Sequence, residues 1–337
     1  MQAIAIPHPS FVQIEPVGQC NLRCQMCPIQ FRTDGPPNGP PAFMPFETFT
    51  RLVDQIPTMT ELQLQGLGEP MMHPRFFDMV EYAAARGVEI STNSNLTLLT
   101  PARAERLVAS GLHRLQVSID GATPETYERI RVRSNWQKVV GNLNGLVAAK
   151  RRLGSELPRV SIVFVVMRQN LDELARLVRL AGQIGVTSVW VQHLCHDFGE
   201  DTLPAHYRPM HEFVAEQTLL SEDPARVDEA FGAARSAAAE LGVDLRLPHT
   251  TTRPAPPGMR GPERCEWPWR GAYFSYDGQA MPCCMVATPD RINFGNAATD
   301  GVIPIWEGSA YQAFRDRLDS DDPPDICRSC AVYNRTF

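Results

Sequence analysis

The sequence has 337 residues, of which 43% are hydrophobic and 21% charged, with a formal net charge of −6 at pH 7. These proportions are ordinary for a globular enzyme of about two domains. No lysine- or arginine-rich run is present, so we expect no nucleic-acid partner. The longest strongly apolar run, residues 161–167, is far shorter than a membrane span, and the first residues lack a signal-peptide pattern. We therefore expect a cytoplasmic protein with no membrane partner.

From residue 11 to about residue 193, short apolar runs alternate with amphipathic stretches. The runs predict six strands: Phe11–Glu15, Glu61–Gln65, Val88–Thr92, Arg114–Ile119, Val160–Val166 and Ser188–Gln192. Helical patterns lie between them: Phe46–Gln55, Pro74–Arg86, Ala102–Ser110, Pro124–Ile130, Trp136–Leu153 and Leu171–Ile184. Six βα units predict a parallel sheet with right-handed crossovers, and they are too few for an eight-stranded barrel. We therefore predict an α/β protein built on a partial (β/α)6 barrel.

The regular alternation ends after residue 193. The next segment predicts helices followed by a proline-rich crossing loop. Short strands then return, with Asp277-Gly278 as a hairpin-turn signal, and Ser309–Leu318 is a predicted helix. We expect a small α+β domain here. The predicted division is a barrel (1–205), a helical connector (206–262) and a C-terminal domain (263–337).

The nine cysteines fall in two clusters with Cys195 between them. In a reducing compartment, cysteines at short fixed spacings are more often metal ligands or catalytic groups than disulfides. Cys20, Cys24 and Cys27 follow the first predicted strand, at the barrel end where active sites lie. Three thiolates on one loop suit an iron–sulfur cubane that keeps one iron open. A structural zinc site is the alternative, but this segment offers no fourth ligand.

The spacing Cys20-x3-Cys24-x2-Cys27, directly after the first strand of a partial barrel, resembles the radical S-adenosylmethionine (SAM) superfamily. The resemblance implies that SAM binds the open iron of a [4Fe–4S] cluster. It also implies that one electron then cleaves SAM to a 5′-deoxyadenosyl radical, which takes hydrogen from an unactivated carbon. Such a cluster needs a low-potential electron donor of the flavodoxin or ferredoxin type.

The same resemblance implies SAM contacts from side chains at the strand ends. Gly66-Leu67-Gly68-Glu69-Pro70 resembles the glycine–glutamate motif of the superfamily, and Thr92–Asn95 closes the third strand beside the pocket. The implied SAM-binding residues are Met26 near the adenine, Gly68, Glu69 on the amino group, Asn93, Ser118 on the ribose and Arg131 on the carboxylate. Arg133 is the alternative to Arg131, and Asp120 is expected to be a turn residue.

The second cysteine cluster has the spacing Cys265-x17-Cys283-x43-Cys327-x2-Cys330. It resembles the twitch domain, a shortened SPASM domain, which implies one auxiliary [4Fe–4S] cluster held by four thiolates. A zinc ribbon is the alternative, since four thiolates also suit zinc. The closest fit in spacing is the aminocyclitol dehydrogenase group, in which the auxiliary cluster is thought to accept the second electron of an oxidation.

Four further side chains have open roles. Cys195 follows the sixth strand and is a candidate catalytic hydrogen-atom donor to a substrate radical; a small buried hydrophobe is the alternative. Cys284 is expected to pack beside the auxiliary cluster. His193 and His196 are candidates to orient substrate or move a proton.

These features favour a radical SAM oxidoreductase that acts on a hydroxyl-rich small molecule, such as a sugar or an aminocyclitol. The alternatives are a peptide-modifying enzyme (epimerase or crosslinking), a sugar epimerase that uses a cysteine hydrogen donor and, most remotely, a zinc-stabilised binding protein. The few residues before the first strand leave no room for a leader-binding domain, which favours the small-molecule expectation over the peptide one.

Overall fold

The computed structural model describes residues 6–32, 42–194, 199–251 and 255–335. Its centre is a nine-stranded sheet in the order β11-β10-β1-β3-β4-β5-β7-β8-β9. The strands of this sheet are β1 (Phe11–Ile14), β3 (Glu61–Leu64), β4 (Glu89–Ser94), β5 (Arg114–Ser118), β7 (Arg159–Val165), β8 (Ser188–Gln192), β9 (Asp244–Arg246), β10 (Gly271–Phe274) and β11 (Ala280–Met281). A separate two-stranded ladder pairs β2 (Arg23–Cys24) with β6 (Arg131–Val132).

The first six strands of the large sheet run parallel in chain order, as the predicted partial (β/α)6 barrel requires. Helices alternate with them along the chain: α1 (Phe46–Asp54), α2 (Phe76–Ala84), α3 (Pro101–Ala109), α4 (Pro124–Ile130), α5 (Trp136–Leu153), α6 (Leu174–Ile184), α7 (Arg208–Gln217) and α8 (Pro224–Leu241). The predicted fold class is therefore confirmed. In the described part of the chain, none of the helices combines the length and the apolar character needed to cross a bilayer.

The amphipathic pattern of α6 explains how a helix covers the sheet. Leu174, Leu177, Val178, Ala181 and Ile184 are buried, and their spacing of three or four residues forms one apolar stripe. The helix ends at Gly185, whose φ of 92° lies in the left-handed region that glycine adopts most easily. This stripe packs into the main hydrophobic core between the helices and the sheet.

The strands alternate apolar and polar residues, and the polar ones line the barrel interior. In β1, Val12 and Ile14 are buried in the helix-facing core, whereas Gln13 lies on the opposite face. The parallel registers then pair Gln13 with Gln63 and Asn93 with Gln116. The barrel interior is therefore lined by amide side chains.

The segment after β8 adds to the sheet. Helix α8 packs against α6, and β9 pairs in parallel with β8, with Trp190 opposite Arg246. Residues 224–246 therefore form one more helix and strand on the same sheet.

The C-terminal part attaches at the opposite edge. Strand β10 pairs in parallel with β1 and antiparallel with β11, and Gly278 has a φ of 90° in the turn between them. The predicted hairpin at Asp277-Gly278 is thus present. Short helices complete this part: α9 (Gly261–Arg264), α10 (Trp267–Arg270), α11 (Ala297–Asp300), α12 (Val302–Trp306), α13 (Ser309–Leu318) and α14 (Asp325–Arg328).

Candidate functional site

The first three cysteines lie on one loop that follows β1. Cys24 belongs to the β2–β6 ladder, where it pairs with Arg131, and the backbone N–H of Cys27 donates to the carbonyl of Cys24 at 3.1 Å. All three side chains line a single cavity of about 230 Å³ at the C-terminal end of the strands. The ladder and the tight turn therefore hold the three thiols around one space.

The thiols of this loop are buried and have hydrogen-bond donors nearby. Burial raises the pKa of the Cys20 and Cys24 thiols, and it raises that of Cys27 to about 12. The side-chain N–H of Asn95 lies 3.8 Å from the sulfur of Cys20, and that of Arg131 lies 3.8 Å from the sulfur of Cys24. A metal that binds such thiols displaces their protons and stabilises the thiolate form that burial disfavours.

The loop from Gly66 to Glu69 packs directly on the cysteine loop. A Cβ atom on Gly68 would lie 2.0 Å from the carbonyl oxygen of Val17 and 2.6 Å from that of Gln19. Glycine is required here because two stretches of backbone cross. The resemblance implied only that Gly68 belongs to the SAM-binding residues, so the structure adds a packing reason for the same residue.

Glu69 is almost fully buried and lines the same cavity. Its Oε1 accepts from the hydroxyl of Ser94 at 2.7 Å and from the N–H of Met71 at 3.2 Å, and its Oε2 accepts from the N–H of Asn95 at 2.8 Å. Burial raises the pKa of Glu69, and these hydrogen bonds oppose that shift. Since an ionised carboxylate offers about four acceptor positions, one remains for a ligand donor.

Arg131, which lines this cavity, forms a buried ion pair with Asp120 behind it. The Arg131 guanidinium lies 2.6 Å from Oδ2 of Asp120, whose other oxygen accepts from the N–H of Val165 at 2.7 Å. The pairing raises the pKa of Arg131 and keeps it charged, despite its burial. Asp120, expected to be a turn residue, is therefore a structural partner of the site. Arg133, the alternative to Arg131, is exposed and does not line the cavity.

The other implied SAM contacts reach the same space. Met26, Asn93 and Ser118 line the cavity together with Gly68 and the three cysteines. Oδ1 of Asn93 and Nε of Arg131 are buried and have no hydrogen-bond partner within the described residues. One acceptor and one donor therefore remain for a polar ligand, and the residues present fit a cluster with SAM.

The structure also brings the cysteines of the second cluster close together. The four expected ligands are Cys265, Cys283, Cys327 and Cys330. Burial raises the pKa of the Cys283 thiol, and the neighbouring thiols of the other three cysteines and of Cys284 raise it further. The carbonyl of Cys327 accepts from the N–H of Cys330 at 3.2 Å. Within the described ranges, no three His, Cys, Asp or Glu side chains are arranged around a single metal ion, so the fit to a cluster rests on this gathered thiol set.

A second cavity, of about 430 Å³, adjoins the first and was not anticipated from the sequence. It shares Gln65, Leu67 and Asn93 with the SAM cavity. Its lining also includes Cys284 and Met285, which directly follow Cys283. We call it the amide cavity because five glutamines and one asparagine line it: Gln13, Gln63, Gln65, Gln116, Gln192 and Asn93.

Glu15 is a further residue that the sequence did not single out. Its Oε1 accepts from the Arg32 guanidinium at 2.7 Å and from the N–H of Leu67 at 2.9 Å, and its Oε2 accepts from the N–H of Tyr276 at 3.4 Å. This buried carboxylate thus joins the end of β1 to the glycine loop and to the C-terminal hairpin. Its only sequence signal is a charged residue at the end of an apolar strand.

The remaining candidates lie near the end of β8. Cys195 and His196 lie outside the described residues. His193 is buried, and its Nε2 donates to the carbonyl of His249 at 2.6 Å. Burial lowers its pKa. His193 therefore holds the segment after β9 against β8 through a backbone contact.

Comparisons with known proteins agree with this geometry. The family model of the Radical SAM superfamily matches residues 14–181, and that of SPASM, an iron–sulfur cluster-binding domain, matches residues 265–331. A PqqA peptide cyclase from Ruegeria pomeroyi is 26% identical over 345 residues, which cover 99% of this chain and 83% of that protein.

Solved structures share the fold. SuiB from Streptococcus suis, bound to the precursor peptide SuiA, superposes with a TM-score of 0.66 at 14% identity, covering 97% of this chain and 70% of that one. BtrN in complex with AdoMet and 2-DOIA superposes with a TM-score of 0.52 at 14% identity, covering 97% and 94% of the two chains. The chain is therefore an enzyme of the radical SAM superfamily with a C-terminal SPASM-type domain, and its cofactors are [4Fe–4S] clusters and S-adenosylmethionine.

Proposed function

We propose that this enzyme oxidises a hydroxyl-rich small molecule, a sugar or an aminocyclitol, by removing a hydrogen atom from a carbon that bears a hydroxyl group. The observation that carries the proposal is the position of the amide cavity. The amide cavity shares Gln65 and Asn93 with the SAM cavity, and its lining also includes Cys284, next to Cys283. A substrate in this cavity lies between the place of hydrogen abstraction and the auxiliary cysteines.

We assign roles to the residues of the first cavity on the same basis. Cys20, Cys24 and Cys27 hold three corners of the first cluster. For SAM, we assign the adenine to Met26, the amino group to the free acceptor position of Glu69, the ribose to Ser118 and the carboxylate to Arg131. Gly68 and Asn93 complete the pocket wall. Asp120 positions Arg131 through the buried ion pair.

The auxiliary cluster is assigned to Cys265, Cys283, Cys327 and Cys330. When bound, the two clusters and SAM supply a hydrogen-abstracting 5′-deoxyadenosyl radical and an acceptor for the second electron. The protein orients the substrate: the amide side chains of the cavity hydrogen-bond its hydroxyl groups, and the proton lost from the reacting hydroxyl passes to water, because the described lining of the amide cavity holds no carboxylate or imidazole to accept it. In total, the substrate loses two hydrogens, and its hydroxyl-bearing carbon becomes a ketone.

Peptide modification is the second candidate, because similar proteins include a PqqA peptide cyclase and the SuiB structure holds its precursor peptide. In either case we propose a flavodoxin- or ferredoxin-type electron donor and a cytoplasmic location, since cysteines clustered at metal-ligand spacings suit a reducing compartment. Cys195 stays a proposed hydrogen-atom donor for epimerase chemistry on a peptide or a sugar.

We propose that the chain divides into a barrel (1–205), a connector (206–262) and an auxiliary-cluster domain (263–337). Membership in a superfamily of enzymes argues against the zinc-stabilised binding protein.

Anaerobic reconstitution with iron and sulfide tests the proposal. Given SAM and dithionite, the enzyme is expected to form 5′-deoxyadenosine, and a variant with Cys20, Cys24 and Cys27 changed to Ala is expected to form none. The substrate class is tested by product mass: loss of two hydrogens supports oxidation, whereas uptake of one solvent deuterium supports epimerisation. A mass change confined to added peptides favours the second candidate. No 5′-deoxyadenosine from iron-loaded enzyme overturns the proposed chemistry.

A further inference from the structure

We propose that the amide cavity selects an anionic sugar, a sugar acid or a sugar phosphate, whose charged group binds Arg246. This inference rests on the proposed function and narrows it, because it replaces the aminocyclitol, a cation, by a substrate of the opposite charge.

The amide side chains define the body of the ligand. Each offers one oxygen acceptor and two N–H donors, so it can match a hydroxyl group, which both donates and accepts. Two contacts fix the floor of the cavity: Gln13 Nε2 donates to the carbonyl of Gln65 at 3.1 Å, and Gln63 Nε2 donates to Oε1 of Gln65 at 2.7 Å. Oε1 of Gln13 is left buried without a partner within the described residues, on a side chain that is only 4% exposed. Such a buried acceptor is satisfied in proteins by water or by a ligand donor such as a hydroxyl.

Arg246 supplies the charge at the rim. The register of β9 on β8 places it opposite Trp190, and its guanidinium lies 5.7 Å from the centre of the indole ring. Stacking on an aromatic ring holds the planar group in place while leaving its N–H donors available. Arg246 forms no salt bridge to a carboxylate within the ranges that the structure describes. Arg246 is exposed and lines the cavity, so its N–H donors are accessible to a ligand that enters.

The sign of the charge follows from what lines the cavity. Of its described lining residues, Arg246 is the one with a charged side chain, and none is an aspartate or a glutamate. An ammonium group bound here would lose water without gaining a carboxylate and would meet a guanidinium of like charge. A carboxylate or phosphate at Arg246 gains paired, charge-assisted hydrogen bonds instead. The volume of about 430 Å³ is that of a small-ligand site and suits a single sugar ring.

Four hexoses that differ mainly in charge test the proposal: glucuronate, glucose 6-phosphate, glucose and glucosamine. Their dissociation constants are measured by calorimetry on the reconstituted, SAM-loaded enzyme without reductant. We expect at least one anionic sugar to bind about tenfold or more tightly than glucosamine, with neutral glucose between them. The stronger of the two anions identifies the acid or the phosphate. Because no turnover is involved, a failure here leaves the 5′-deoxyadenosine assay to test the proposed function separately.

Variants of Arg246 make the test specific to this side chain. R246Q is expected to remove the preference for the anion and leave glucose binding unchanged, and R246E is expected to reverse the ranking in favour of glucosamine. R235Q, which changes an exposed arginine on α8, is the matched control and is expected to bind as the parent enzyme does. Equal binding of anion and cation by the parent enzyme, absence of binding by all four sugars, or tighter binding of N-acetylglutamate N-methylamide, a blocked acidic peptide unit, overturns the proposal.

Discussion

Asp120 and Arg131 lie 2.6 Å apart in a largely buried ion pair. The pair contacts the cysteine loop, because a second side-chain nitrogen of Arg131 lies 3.8 Å from the sulfur of Cys24. Eleven positions separate the two residues in sequence, and β6 carries Arg131 back to the end of β5. The pair therefore joins the fourth and fifth βα connections of the barrel, which follow β5 and β7, to the cysteine loop that follows β1.

Replacing Asp120 by Asn is expected to destabilise the protein strongly. The amide keeps the shape and can still accept from Val165, but it leaves Arg131 buried without a counter-charge, which costs about 3–5 kcal/mol. We also expect weaker SAM binding, because Arg131 loses its orientation. Denaturant unfolding and SAM calorimetry measure the two effects.

The matched control is Asp78→Asn, which removes a partly exposed partner of Arg75 and Arg106. Such surface pairs contribute about 1 kcal/mol or less. Equal stability losses in the two variants would show that the buried pair has no special importance.

Asn95→Ala is expected to make the reduction potential of the first cluster more negative. The side-chain N–H of Asn95 lies 3.8 Å from the sulfur of Cys20. A hydrogen-bond donor to a sulfur that binds the cluster stabilises the reduced cluster, which is the more negatively charged form. Loss of a hydrogen bond worth about 1 kcal/mol corresponds to a one-electron shift of roughly 40 mV. An anaerobic redox titration followed by electron paramagnetic resonance measures it.

Asn142→Ala serves as the comparison for Asn95, since Asn142 donates to the carbonyl of Leu96 at 2.7 Å in the same loop but not to sulfur. The reduction potential of the first cluster in N142A is expected to match that of the parent enzyme. A shift of the same size in both variants would assign the effect to loop distortion rather than to the contact with Cys20.

Gly68→Ala is expected to disrupt the site through sterics alone. The new Cβ would lie 2.0 Å from the carbonyl oxygen of Val17, and backbone cannot move aside as a flexible side chain can. We expect a loss of about 1–3 kcal/mol or more in unfolding free energy, together with weakened SAM binding.

Gly145→Ala provides the opposite case on α5. A Cβ there meets no atom within 4 Å, and alanine favours a helix interior by about 0.5–1 kcal/mol. Thermal melting is therefore expected to rise slightly for G145A and fall for G68A. Two variants with the same melting temperature would contradict the steric argument.

Cys327→Ser and Cys284→Ser separate a cluster ligand from its neighbour. Removing Cys327 is expected to reduce the iron content from about eight to about four atoms per chain, because one of two [4Fe–4S] clusters is lost. Cys284 lines the amide cavity and lies outside the four-ligand pattern, so C284S is expected to keep both clusters. Iron analysis and visible absorption after anaerobic reconstitution measure this, and loss of iron in C284S would require a different ligand set.

Most of the barrel was predictable from the sequence because its signals are local. Strand β1 alternates Val12, Gln13 and Ile14 with period two, α6 repeats its apolar residues every three or four positions, and the spacing of the first cysteines is a property of one loop. These patterns predict the fold class and the chemistry of the first site. The edge strand β9 was missed because three residues without a strong apolar pattern give little signal of their own.

The sequence alone determined which chemistry this protein carries: the numbers and spacings of its cysteines, and the alternation that builds a partial barrel. Only the tertiary structure decided what surrounds that chemistry. Gln13, Gln63, Gln116 and Gln192 are far apart along the chain, and they line one cavity because parallel register brings them to the same interior face. Asp120 reaches Arg131, and Glu15 reaches Arg32 and Tyr276, because loops from different parts of the chain meet at the ends of these strands. Contacts between distant segments depend on the relative placement of whole strands and loops, which no local pattern of residues encodes.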